Sequence, residues 1–272
     1  MNTAGGCLMS YLESAINIAR EAGSNLKNAI TKDFLVDVKD SNFDLVTEWD
    51  KKTENLIIDR IKEIYPNHLV IGEESVFVSS KDSFSELINE KEHVWIIDPI
   101  DGTNNFIHRL PGYTVSIAKF NYGQIELGVV YSPDNDEMFS AEKGKGAYLN
   151  KKKLTVSNQN QLENSMLATG FPSDVANFRA NNLEQINKVA LKCRDVRIYG
   201  SAALHCAYVA AGRLEAFWEE GLHIWDIAAG WILAEEAGGQ VDYFSYDSNL
   251  MQYKSFYCGN KEINKQLIDV IE

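Results

Sequence analysis

The run Trp95-Ile96-Ile97-Asp98-Pro99-Ile100-Asp101-Gly102-Thr103 ends an apolar stretch in two carboxylates three residues apart. Pro99 confines Asp98 to extended backbone. Gly102 and Thr103 then mark a strand-to-helix turn whose first amides have no partner inside the helix, an arrangement that attracts anions. Two aspartates would repel a phosphate brought there. A hard divalent cation removes the conflict, because Mg²⁺ takes carboxylate, carbonyl and phosphate oxygens together. In isolation Asp-Pro-x-Asp-Gly reads as an ordinary turn. Two further acidic segments change that reading. Glu73-Glu74 follows the apolar run His68–Ile71, and Asp226 opens a helical stretch in Trp225-Asp226-Ile227-Ala228-Ala229-Gly230. Alone, the first is a solvated loop and the second a helix cap. Together, three segments deliver acids to element ends flanked by apolar sequence.

The elements that must position these acids are legible in part. Leu8, Leu12, Ala15, Ile16, Ala19 and Ala22 recur at helical spacing and predict a helix over 8–29. Thr47, with Asp50 three residues later, caps a second helix that carries Leu56, Ile57, Ile61 and Ile64 and stops at Pro66-Asn67. Strands are expected at 68–71 and 93–97, followed by antiparallel strands at 113–121, 124–132, 136–141 and 146–149 separated by turn residues. Beyond about residue 152 the pattern alternates: strand 165–169, helix 175–192, strand 195–199, helix 201–211, strand 213–218, helix 225–237 and strand 239–243. That alternation is the mark of an α/β layer. The expected organisation is an α+β part over 1–150 and an α/β part over 151–272, within one compact unit.

Composition narrows the function. The chain has 272 residues, with 26 Lys and Arg against 39 Asp and Glu, a net charge of −13. Such a surface argues against nucleic acid or an anionic membrane as the main partner. No apolar run is long enough to span a bilayer, and the start of the chain lacks a secretory pattern. The four cysteines, Cys7, Cys193, Cys206 and Cys258, form no close pair, so zinc-knuckle and CxxC readings fail and reduced thiols in a cytoplasmic protein are expected. No DxDxDG calcium loop is present. His68, His93, His108 and His205 lack metal-like spacing. His223 reads as a structural or rim residue in a loop, Cys206 as core, and Lys151-Lys152-Lys153 as a solvated turn.

Glu73-Glu74, the run from Trp95 to Phe106, and Trp225 through Gly239 resemble the signatures of the inositol monophosphatase family, a group of Mg²⁺-dependent, lithium-sensitive phosphatases. The resemblance extends over about residues 8–260. It implies a layered α-β-α-β-α fold and two or three Mg²⁺ ions. Glu73, Asp98, Asp101 and the Ile100 carbonyl match ligands of a first ion, and Asp98, Asp101 and Asp226 those of a second. Thr103, with Asp50 behind it, and Glu73 match the groups that orient an attacking water. The Gly102 and Thr103 amides match a phosphate cradle. The resemblance further implies direct attack by a metal-activated water, a homodimer, and a lid around Lys39-Asp40-Ser41-Asn42.

For the leaving group, Gly200-Ser201-Ala202-Ala203 resembles the family element that contacts substrate hydroxyls, and Glu219 the glutamate that bonds the inositol ring. A carboxylate acceptor suits a neutral polyol and disfavours a second phosphate nearby, so inositol 1-phosphate is expected over a bisphosphate. Fructose 1,6-bisphosphate, 3′-phosphoadenosine 5′-phosphate, NADP(H) and histidinol phosphate are the alternatives. A non-catalytic metal- or metabolite-binding regulator on the same fold is the rival from another class.

Overall fold

The computed structural model describes residues 9–38, 45–76, 84–248 and 251–272. Leu8, Cys7, the proposed lid at Lys39-Asp40-Ser41-Asn42 and Asp44 lie outside these residues.

The first helix, Tyr11–Ala29, starts at a capping box between Ser10 and Glu13 and buries Ala15, Ile18, Ala19, Ala22 and Leu26 along one side. The second, Glu48–Ile64, starts at the box between Thr47 and Asp50. Each acid accepts the backbone N–H of its cap while the cap hydroxyl serves the first turn, so donors left over at the helix start are satisfied locally. Both helices lay their apolar stripes on one face of a seven-stranded sheet. In spatial order its strands are Leu69–Gly72, Val94–Asp101, Thr114–Asn121, Gln124–Ser132, Glu137–Glu142, Gly146–Leu149 and Lys152–Lys153. All pairings are antiparallel except that between Leu69–Gly72 and Val94–Asp101. Lys152–Lys153 corrects the expected solvated turn: the two residues add an exposed edge strand, where lysine discourages further pairing.

Every residue of Val94–Asp101 is buried, which explains its unbroken apolar sequence. Its second face is covered by Ile224–Glu236, and Ala202–Ala210 packs beside that helix over Thr114–Asn121 and Gln124–Ser132. These helices are apolar nearly all round because they lie between two sheets; they also touch the five-stranded sheet on their far side. That sheet runs Asp195–Arg197, Met166–Thr169, Ala216–His223, Gln252–Gly259, Gln240–Asp247. Its outer face is closed by Ala180–Ala190 and Lys261–Ile271 through Val189, Ile263, Leu267, Trp218 and Tyr257. The order of layers is therefore helix, sheet, helix, sheet, helix. The largest apolar cluster joins residues of both sheets, from Ile71 to Cys258.

Several boundaries differ from the sequence reading. Only the first three strands of the C-terminal sheet are parallel; the last two pairings are antiparallel. The strand expected at 213–218 is Ala216–His223, so His223 closes a strand and does not sit in a loop. The helix expected over 175–192 divides into a π-helical turn at Val175–Arg179 and an α-helix at Ala180–Ala190.

Candidate active site

The parallel pair fixes the chemistry-bearing edge. Gly72 pairs with Ile97, so Glu73 and Asp98 leave neighbouring strands at the same end. Ligand sites form at such carboxyl ends. Beyond Asp98 the pairing with Thr114–Asn121 slips: Asp98 faces Ser116 and Asp101 faces Thr114. The extra residue makes a bulge, and Pro99, which has no N–H to donate, sits inside it. The Asp98 carboxylate accepts the Ile100 N–H at 3.0 Å. Gly102 follows at φ +95°, a left-handed conformation that glycine adopts without strain. Thr103–Ile107 is the short helix after it.

Asp101 reaches across the molecule. It accepts hydrogen bonds from Ser201 Oγ at 2.6 Å, Ala203 N at 2.7 Å and Ala202 N at 3.2 Å, and Thr114 Oγ1 lies 3.5 Å away. Ser201 also caps Ala202–Ala210 by accepting from Leu204 N at 3.2 Å. Asp50 accepts from Thr47 N at 2.7 Å and Thr47 Oγ1 at 2.6 Å. The Thr103 hydroxyl is shared between the Ile100 carbonyl at 2.9 Å and Asp50 Oδ1 at 3.2 Å. Asp226 is the third residue of Ile224–Glu236, not its cap, and accepts the His223 N–H at 2.7 Å. Glu219 lies against Gly170, where any Cβ would meet its carboxylate.

A cleft of about 360 Å³ gathers these residues: Glu73, Asp98, Ile100, Asp101, Gly102, Thr103, Gly200, Ser201, Ala202, Glu219 and Asp226 all line it. Asp50 does not line the cleft; it reaches it through Thr103.

Known proteins resemble the chain over almost its whole length. A profile of the Inositol monophosphatase family matches residues 8–272. The chain belongs to the inositol monophosphatase family. It is 41% identical over 258 residues to "Nus factor SuhB" of Escherichia coli K12, covering 94% of each chain. It is 38% identical over 261 residues to "Inositol monophosphatase 1" of Xenopus laevis, covering 93% of this chain and 89% of the relative. The solved structure of the Thermotoga maritima IMPase superposes with a TM-score of 0.84 at 35% identity, covering 97% of each. Membership in the inositol monophosphatase family supports a Mg²⁺-dependent phosphatase.

The electrostatics show why a phosphatase of this family needs cations. Burial pushes Asp50 up to about 7, against the Thr47 hydrogen bonds and with help from Glu73 and Glu74. Burial raises Asp101 to about 6 despite its bonds to Ser201, Ala203 and Ala202, with Glu73 adding repulsion. Glu219 rises to about 8 through burial and the nearby charge of Asp101. Asp226 is raised well above the usual carboxylate range by burial, then by Asp101, Glu73 and Glu219. These acids thus oppose one another's ionisation. The donor set contains only oxygen atoms, which fits Mg²⁺. Among the described residues, no three His, Cys, Asp or Glu side chains are already gathered about one point; the chain's own amides and hydroxyls hold Asp101 and Asp226 instead.

The cleft includes residues that sequence reasoning did not single out: Phe171, Ser173, Arg179 and Glu220. Asn105 was also missed, although its Nδ2 donates to Gly112 O at 2.9 Å and Tyr199 O at 2.6 Å and so ties the turn after Asp101 to the segment before Ser201. Its place in Asp101-Gly102-Thr103-Asn104-Asn105-Phe106 was the available signal. Arg179, one arginine in a polar stretch, gave none. No helix among the described residues is long and apolar enough to cross a membrane.

Proposed function

We propose that the chain is a Mg²⁺-dependent phosphatase that hydrolyses a small phosphate monoester, with inositol 1-phosphate as its preferred substrate. The observation that carries this reading is the meeting of Glu73, Asp98, Asp101 and Asp226, from three separate segments, in one cleft beside Thr103. Glu73, Asp98, Asp101, Asp226 and the Ile100 carbonyl would hold two or three Mg²⁺ ions. When bound, Mg²⁺ supplies positive charge to the phosphate oxygens and acidifies a water.

The chain's own groups do the rest. Thr103 Oγ1, fixed by Asp50 and the Ile100 carbonyl, and Glu73 orient the water behind phosphorus, so attack needs little further ordering. The Gly102 and Thr103 amides receive phosphate oxygens at the start of their helix. The water oxygen bonds to phosphorus as the ester oxygen leaves with the alcohol, and no phosphoenzyme forms. Gly200, Ser201 and Ala202 line the alcohol side. Glu219, raised to about 8, is largely protonated at neutral pH before a cation enters. It can therefore donate to, as well as accept from, a polyol hydroxyl. A homodimer and lithium inhibition follow from the family resemblance, and a cytoplasmic setting from the unpaired spacing of the cysteines.

A second reading is a non-catalytic regulator on the same fold. The name "Nus factor SuhB" of the 41%-identical relative favours it. The deciding test is phosphate release from inositol 1-phosphate, fructose 1,6-bisphosphate, 3′-phosphoadenosine 5′-phosphate, NADP and histidinol phosphate, each with Mg²⁺ and with EDTA. Release that is greatest for inositol 1-phosphate and lost in EDTA supports the first reading. Greatest release from another ester overturns the substrate assignment alone. No release, with Mg²⁺ still bound, supports the regulator.

A further inference from the structure

The cleft has two banks that belong to different sheets. Gly102 and Thr103 follow Val94–Asp101 of the seven-stranded sheet, and Gly200, Ser201 and Ala202 follow Asp195–Arg197 of the five-stranded sheet. Asn105 and Tyr199, 94 residues apart, join the banks, and neither lines the cleft. Asn105 Nδ2 donates to Gly112 O at 2.9 Å and to Tyr199 O at 2.6 Å. Both neighbours are carbonyl acceptors, so the nitrogen of the Asn105 amide must face them. The other side of Tyr199 is held too: its N–H donates to His205 Nε2 at 3.0 Å. His205 is fully buried in Ala202–Ala210, with its ring 4.7 Å from that of Phe217. Burial lowers its pKa to about 3, so the ring is neutral and Nε2 keeps the lone pair that this amide needs. The residue before the alcohol-side element therefore has both backbone groups tied, one to each bank.

The joint leaves no room for side chains. A Cβ on Gly102 would stand 2.9 Å from Gly112 O, one on Gly112 3.2 Å from Asn105 Nδ2, and one on Gly200 3.0 Å from the same nitrogen. The bonds from Ser201, Ala202 and Ala203 to Asp101 also link the banks, but they stop short of the Tyr199–Gly200 peptide. The short helix that carries Asn105 has backbone bonds of its own, from Phe106 N to Gly102 O at 3.1 Å and from Leu110 N to Asn105 O at 2.9 Å. Loss of the Asn105 amide therefore leaves the Gly102–Thr103 turn closed and releases the opposite bank. We propose that Asn105 and His205 are positioning residues that fix the Tyr199–Gly200 peptide, and through it the placement of the alcohol side against the phosphate cradle. This rests on the phosphatase reading above, and deepens it: recognition of the alcohol depends on a clasp that lies outside the cleft.

The test measures kcat/KM in the full chain with Mg²⁺ for inositol 1-phosphate and for p-nitrophenyl phosphate, whose leaving group carries no hydroxyl for the alcohol side to read. Asn105→Asp keeps the shape of the side chain but cannot donate, and Asn105→Ala removes the amide outright. In both, the value for inositol 1-phosphate should fall about ten- to a hundredfold, as misplaced binding groups do, while p-nitrophenyl phosphate stays within about threefold. His205→Ala should move the ratio of the two values in the same direction. His205→Gln, whose side-chain carbonyl can accept the Tyr199 N–H, should restore most of it, and it stays informative if the cavity left by alanine prevents folding. An unchanged ratio in the Asn105 variants overturns the proposal. So does an equal loss for both esters in a variant whose circular dichroism matches the wild type, the mark of a structural role only. A His205→Gln variant no better than His205→Ala overturns the part given to His205. Failure of the phosphatase reading appears elsewhere, as a wild type that releases phosphate from neither ester.

Discussion

Asp101 and Ser201, 100 residues apart in sequence, are joined by a 2.6 Å hydrogen bond. The bond links the end of the second strand of one sheet to the cap of a helix packed between both sheets. The same serine hydroxyl accepts from Leu204 N at 3.2 Å, so one oxygen starts the helix and orients the acid. The partially positive helix terminus also favours a carboxylate there.

Ser201→Ala removes the cap and one donor to a buried carboxylate. The unfolding free energy should fall by about 2 to 4 kcal/mol, from the typical costs of a lost cap and of a lost bond to a charged group. Urea denaturation without Mg²⁺ reads this directly. A loss below about 0.5 kcal/mol, the bottom of the range for a cap alone, would show that the Ala202 and Ala203 amides suffice.

The raised carboxyls give the metal-free protein a defined pH response. Folded Asp101, Asp50 and Glu219 titrate at about 6, about 7 and about 8, against unfolded values of 3.8, 3.8 and 4.5. Between those limits the native state holds more protons than the unfolded chain, so stability falls as pH rises. The thermal midpoint should decline from about pH 4 to about pH 8 and then level off as far as these groups are concerned. Mg²⁺ should raise the midpoint most at the alkaline end, where it competes with the fewest protons. A midpoint that climbs with pH in EDTA would contradict the assigned directions.

Asp98→Asn retains an oxygen to accept the Ile100 N–H, so the bulge and the fold should survive. The neutral amide gives up a charge that the cation site needs. Mg²⁺-supported phosphate release should drop about a hundredfold or more, with far-ultraviolet circular dichroism unchanged. Activity within a few-fold of wild type would remove Asp98 from the ligand set.

The two inner helices cross where Gly230 meets Cys206. A Cβ on Gly230 would strike the Cys206 Cβ and stand 3.1 Å from its Sγ. Gly230→Ala should therefore lower the unfolding free energy by about 1 to 3 kcal/mol through overpacking, although alanine is the better helix former. Guanidinium denaturation of the variant checks the sign; stabilisation would mean that the crossing has room to spare.

Local signals carried much of the fold and most of the site. Ser10 with Glu13, and Thr47 with Asp50, are capping boxes whose partners lie within one turn, so sequence spacing suffices to find the helix starts. The run from Trp95 to Thr103 announces a strand buried on both faces and its acidic exit. The order of the C-terminal strands depends on pairings between distant segments, such as Ala216 with Gly259, which no local pattern encodes. The strand Gln252–Gly259 was missed for a related reason: it alternates only weakly, and its burial comes from both neighbouring strands and the layers over them. The helix Lys261–Ile271 was missed despite a local signal, Asn260 as cap with Ile263, Leu267 and Ile271 at helical spacing. Arg179 was silent because its meaning lies in its surroundings. An arginine in a polar stretch becomes notable only when folding brings it into the lining of a cleft that also holds Glu73, Asp98, Asp101 and Asp226.

Glu219 and Glu220 project to opposite faces of one strand, which separates two kinds of change open to descendants of this chain. Substitutions along Phe171–Arg179, or in the helix that Glu220 clasps through Asn181 and Gln185, can remodel one wall of the cleft without disturbing Asp98 and Asp101, which lie in the other sheet, or Glu73, which follows that sheet's first strand. Substrate range can therefore drift by small, separable steps while the machinery for breaking the ester is inherited intact.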